Sequence, residues 1–209
     1  MRGLRLLLFI LIAMPVSADV KVIDGDTIDL GDVRYRLAGI DAPERGQRCG
    51  SEAWLCGKTA TERLEALVAG RAVWCDGGTN DGRGRLIATC HADGLDLGRV
   101  LVREGLAWAY LRYSEVYRDD EVAARSEARG IWRAPTERAW DYRARKWSSA
   151  AHTAPNGCAI KGNISPRGRI YHAPWSPFYD RTRIDLSKGE RWFCDEADAL
   201  AAGWRAPNS

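Results

Sequence analysis

The sequence contains no Cys-x-x-Cys pair, which argues against a zinc ribbon. The apolar run Leu6 to Met14 falls short of the ~20 residues that a bilayer-spanning helix needs, so stable membrane insertion is not expected. The glycine-rich stretch Asp76 to Gly84 lacks the P-loop pattern and is not read as a nucleoside-triphosphate cradle. A strong basic excess is missing too. The formal net charge is +3 over 209 residues, and setting aside Arg2 and Arg5 leaves 29 basic against 28 acidic side chains. A chain held to nucleic acid mainly by its charge carries far more.

What is present begins with a targeting segment. Arg2 and Arg5 precede the apolar run, and Val16-Ser17-Ala18 supplies small residues at a cleavage site, so residues 1–18 read as a signal peptide cut near Ala18. Export to the periplasm or medium is expected. Six cysteines in an exported chain point to disulfides, and locality favours Cys49–Cys56, Cys75–Cys90 and Cys158–Cys194. A metal site of Cys158, Cys194, His152 and His172 is the competing reading, disfavoured in an oxidising compartment. Residues 19–96 hold 10 Lys/Arg against 14 Asp/Glu, and 97–209 hold 19 against 14. An acidic first part suits a cation site; a mildly basic second part suits a polyanion.

The densest chemistry lies between Ile23 and Glu44, IDGDTIDLGDVRYRLAGIDAPE. Alternation predicts strands at Val20–Ile23, Thr27–Leu30 and Val33–Leu37, broken at Gly25-Asp26 and Gly31-Asp32. Paired in order, they leave Asp26 and Asp41 near strand ends, where carboxylates can cage a hard cation. Ordinary turn chemistry explains Asp-Gly-Asp and Asp-Ala-Pro about as well. Further on, a helix is expected within Ser51–Ala69, regular from about Lys58 and stopped by Gly70. A strand ending at Cys75, a glycine loop over 76–84 and a strand from Arg85 follow. A second helix is capped by Asp96 and a third begins near Asp119. An amphipathic helix over Thr136–Trp147 precedes a small, polar, Pro-bearing linker, 148–157. The last residues, from Cys158, include a capped helix ending at Gly203, in a segment too small for an ample core of its own. The class is α+β, rich in strand.

Three blocks taken together, D-G-D-T at 24–27, R-L-A-G-I-D-A-P-E at 36–44 and D-G-R-G-R at 81–85, resemble the thermonuclease (staphylococcal-nuclease-like) family in order and spacing. The resemblance covers about residues 20 to 133. It implies a five-stranded OB-type barrel with three helices over 19–134, followed by a helical extension and linker, 135–157. C-I-K-G-N-I-S … G-E-R-W-F-C, within 158–209, resembles a small module appended to some secreted bacterial nucleases; no activity is implied for it.

The resemblance also implies roles. Asp26, Asp41 and the backbone carbonyl of Ala42 bind calcium (Ca2+), with Asp24 in support and Thr27 holding the cluster. Glu44 handles the attacking water, and Arg36 and Arg85 fork onto the phosphate. Arg83, Tyr110 and Tyr113 bind substrate, although Gly82 and Arg83 depart from the family's usual loop residues. The implied protein is a monomeric, secreted, calcium-dependent hydrolase of DNA or RNA phosphodiesters leaving 3′-phosphate and 5′-hydroxyl ends. The alternative is a catalytically silent OB-type nucleic-acid-binding or scaffold protein.

Overall fold

A computed structural model describes residues 19–52 and 54–207. The expected signal peptide lies outside the described residues. Strands β1 (Val20–Asp24), β2 (Thr27–Leu30) and β3 (Val33–Leu37) form an antiparallel meander at the expected positions. After β4 (Ile40–Asp41) and helix α1 (Cys56–Val68), a hairpin of β5 (Val73–Asn80) and β6 (Leu86–Ala92) returns to the sheet. There β6 runs parallel to β3, giving the order β1-β2-β3-β6-β5 with β7 (Leu95–Asp96) paired to β6. Helix α2 (Leu97–Arg103), strand β8 (Trp108–Ala109), which pairs β4, and helix α3 (Arg118–Ser126) complete this half. The strand-rich α+β class holds: the sheet has six strands, and among the described residues no ladder joins β1 to β5.

The core explains the register. Ile28, Leu37 and Ala88 from the strands meet Leu64 of α1 and Leu97 and Leu101 of α2 in one buried cluster. Ala60, Leu64, Leu67 and Val68 recur at helical spacing on the buried face of α1. That helix starts at Cys56 rather than Ser51, because Cys49 and Trp54 bridge backbone to backbone and the Cys49–Cys56 disulfide closes the loop before it. Asp96 caps α2 by accepting the Arg99 N–H at 3.0 Å. The glycine loop is corrected. Gly77 and Gly78 (φ +74° and +145°) absorb a bulge between Asp76 and Thr79, so β5 runs on to Asn80 and only 81–85 is left as the turn.

Helix α4 (Ala139–Ala151) starts later and runs further than expected, taking in part of the segment read as a linker. Ala150 is buried against Ala159 and Tyr179, and this packing carries the helix past Trp147. Beyond it, β9 (Ile160–Ser165) is flanked by antiparallel β10 (Gly168–His172) and β11 (Arg191–Phe193), followed by α5 (Glu196–Ala201). Ile160, Tyr171, Phe193, Ala199 and Trp204 make its core, supplemented by Trp147 from α4. Cys49–Cys56, Cys75–Cys90 and Cys158–Cys194 are all bonded. Three disulfides suit a non-cytoplasmic, oxidising compartment. Among the described residues, no helix is long and apolar enough to cross a membrane.

Candidate active site

Two close approaches set the site. A Cβ on Gly25 would stand 2.8 Å from the Cβ atoms of both Ala42 and Ala60, so only glycine lets the β1–β2 turn settle between β4 and α1. There the Ala42 N–H donates to Asp26 Oδ2 at 3.1 Å and Thr27 Oγ1 donates to Asp26 Oδ1 at 3.0 Å. A Cβ on Gly57 would stand 1.7 Å from the Glu44 carbonyl, so the first turn of α1 braces the Glu44 backbone. The Glu44 N–H donates to Gln47 Oε1 at 3.1 Å, and buried Gln47 in turn donates to the Glu137 carbonyl at 2.7 Å.

Arg36 spans two of the expected ligands: Nη1 meets Asp26 Oδ1 at 2.7 Å and Nη2 meets Asp41 Oδ1 at 2.8 Å. Asp41 is fully buried. A second guanidinium, not anticipated from the sequence, enters from α4. Arg143 donates to Asp41 Oδ2 at 2.7 Å, to Asp41 Oδ1 at 3.1 Å and to Glu44 Oε1 at 2.7 Å. Asp26, Arg36, Asp41, Arg143 and Glu44 thus form one chain of charge-assisted hydrogen bonds. Unpaired, such buried acids would be strongly disfavoured.

Burial raises the Asp24 carboxyl to about 6, helped by the negative charge of Asp26. Asp26 moves the other way: burial opposes its ionisation, but Arg36 and the Ala42 N–H outweigh it and hold the carboxyl low. Glu44 is pushed up to about 8, chiefly by burial, with Arg143 pulling back and Asp24 pushing further. Adjacent acids are therefore held in opposite directions, an arrangement found at sites of acid–base chemistry and also in structural ion networks.

A cleft of about 660 Å³ opens over this cluster, lined by Asp24, Asp26, Arg36, Glu44, Arg83, Arg85 and Arg143 among others. Arg85 sits in its wall, oriented by Asp81 Oδ2 at 2.6 Å from Nε. Arg83 also lines the cleft but pairs with Glu196 of α5 at 3.2 Å. Tyr110 and Tyr113 both reach it, edge to face with centroids 5.1 Å apart; Tyr113 is 73 % exposed, whereas Tyr110 leans on Trp140. All the expected side chains gather here, with Asp41 enclosed beneath. Arg36, expected to fork onto the phosphate, has both terminal nitrogens on Asp26 and Asp41.

The donor set bears on the implied calcium. It is all oxygen, which suits a hard cation and not zinc. Among the described residues, no three His, Cys, Asp or Glu side chains converge as a metal cage. Asp26, Asp41 and the Ala42 carbonyl are the oxygens that would hold such a cation, and Arg36 and Arg143 now neutralise the two carboxylates.

The family model described as staphylococcal nuclease homologue matches residues 34–134, and one described as ArfC matches residues 144–206. An uncharacterized endonuclease of Escherichia coli O157:H7 is 37% identical over 124 residues, covering 54% of this chain and 74% of that protein. A micrococcal nuclease of Shigella flexneri is 31% identical over 180 residues, covering 75% and 96%. The succinoglycan biosynthesis protein ExoI of Rhizobium meliloti is 38% identical over 133 residues, covering 61% and 70%.

Proposed function

We propose, from the premise that this chain belongs to the staphylococcal nuclease homologue family and is an endonuclease hydrolase of it, that it cleaves DNA and RNA phosphodiesters outside the cytoplasm with calcium. The convergence of Asp26, Arg36, Glu44 and Arg85 on one cleft, with Asp41 bonded to Arg36 beneath it, carries this reading. The β3–β6 parallel pairing is the element that best supports an OB-type ancestry of the sheet.

Glu44 would accept the proton of the attacking water once ionised; burial raises its carboxyl and so its basicity, while Arg143 favours the carboxylate form. Arg85, aimed by Asp81, would donate to a non-bridging phosphate oxygen as charge builds there. Arg36 would keep Asp26 and Asp41 ionised and facing each other. Bound calcium would supply charge neutralisation at the phosphate. Attack with loss of the 5′-oxygen would leave 3′-phosphate and 5′-hydroxyl ends. Tyr113 and Tyr110 offer rings to an adjoining base.

The test is digestion of single-stranded DNA and of RNA by the oxidised protein, with calcium and with chelator, followed by end analysis. Calcium-dependent cleavage to 3′-phosphate ends is expected. No cleavage in calcium would return the chain to the silent, binding-only reading.

A further inference from the structure

A second cleft, of about 480 Å³, continues from the first and shares with it Asp24, Glu44, Arg83, Arg85, Trp175 and Glu196. Its size is that of an ordinary ligand site (~300–1,000 Å³). Its lining comes from two parts of the chain. Arg34 of β3, Arg45 ahead of α1 and Lys58 of α1 line the cleft from the first half of the chain, and Tyr171 of β10, Trp175 and Phe178 from the second. Resting on the nuclease reading above, we propose that this cleft binds single-stranded nucleic acid beyond the reacting phosphate, with bases on Trp175 and Phe178 and phosphates toward Arg45.

The chemistry of the walls matches that ligand. Aromatic rings and cations lining one groove are what a strand with unpaired bases requires, because bases stack and phosphates seek positive charge. A duplex would present no free base faces to the rings. Both rings are braced: Trp175 by Trp147 at 6.3 Å between centroids, Phe178 by His172 at 5.9 Å and by the Arg181 guanidinium at 4.4 Å. Trp175 and Phe178 nonetheless remain half-buried at the cleft rather than enclosed. Among the described contacts, Arg45 meets only the Ile23 carbonyl, at 3.4 Å, so no carboxylate offsets its charge. Arg34, by contrast, is committed to Asp29 at 2.6 Å, and Lys58 is paired with Glu62. Arg83–Glu196 fastens the tip of the β5–β6 hairpin to α5, which keeps the two parts in register.

The inference is tested on the full chain carrying Glu44→Gln, in calcium, with fluorescently labelled oligothymidylates of two and eight nucleotides. Octamer affinity should exceed dimer affinity. Trp175→Ala and Phe178→Ala should each weaken the octamer roughly 5- to 100-fold, and Arg45→Gln should lower the salt slope of octamer binding by about one. Should an aromatic truncation lower the thermal midpoint markedly, Arg45→Gln and Trp175→Phe still decide, the latter keeping octamer affinity. Octamer binding no tighter than dimer, folded variants that bind as the parent does, or a duplex that competes equally would overturn the inference alone. A chain that neither binds nor cleaves any nucleic acid would overturn the nuclease reading with it.

Discussion

The guanidinium of Arg143 meets the carboxylate of Asp41 through two hydrogen bonds, at 2.7 and 3.1 Å, across 102 residues of chain. It thereby places a positive charge where the family resemblance implies a divalent cation. Arg143→Ala should raise calcium affinity about tenfold or more, since a competing charge leaves the acids, and should lower stability without calcium by ~1–3 kcal/mol. Calorimetric titration and thermal melts with and without calcium check both. Unchanged or weaker calcium binding would show that Arg143 and the ion do not share Asp41.

Glu44 gives a sharper test of mechanism. Glu44→Gln keeps the shape and removes the proton acceptor, so turnover should fall by ~10²-fold or more while calcium affinity stays nearly the same. A variant that keeps most of its turnover would transfer the water-handling role to another group.

His172 makes the C-terminal sheet sensitive to acid. Burial, with Arg181 and Lys161 nearby, pushes its imidazole down from 6.5 to about 4, and Nε2 faces Asn163 Oδ1 at 3.1 Å. The unfolded chain therefore takes up a proton first as pH falls. Stability contributed by neutral His172 is intact above about pH 6.5 and declines toward pH 4, by on the order of 2–3 kcal/mol. Urea unfolding at pH 7 and pH 4.5, compared with His172→Gln, should show a smaller loss in the variant.

The Cys158–Cys194 bond closes a separation of 36 residues around a small core. Replacing both cysteines by serine should cost about 3–4 kcal/mol through the freed unfolded chain. Limited proteolysis should then cut first within residues 158–207 and leave the β1–α3 half standing. First cuts in that half instead would mean that the two parts unfold together.

Much of this was legible in the sequence for identifiable reasons. Period-two alternation around short turns located β1 to β3, and Asp96 followed by apolar residues located α2. The three disulfides followed from proximity along the chain. The bulge in β5 was hidden because Gly77 and Gly78 spell a loop when their neighbours are unknown. The end of α4 was hidden because Ser148-Ser149-Ala150-Ala151 is small and polar, and only Tyr179 reveals why those residues pack. Arg143 left one overlooked sign. It lies three residues after Trp140 and four before Trp147, on the helix face that both tryptophans anchor. A cation on an anchored face needs an acid, and the nearest candidates in sequence pattern were already assigned to a metal.

Helix α4 also has a mechanical consequence. Trp140 rests on Trp108 and Tyr110, while Trp147, about 10 Å further along the axis, is embedded in the C-terminal core. A rod gripped at both ends transmits torque. Arg143 sits between the two grips, so its hold on Asp41 rests on the packing of both parts of the chain.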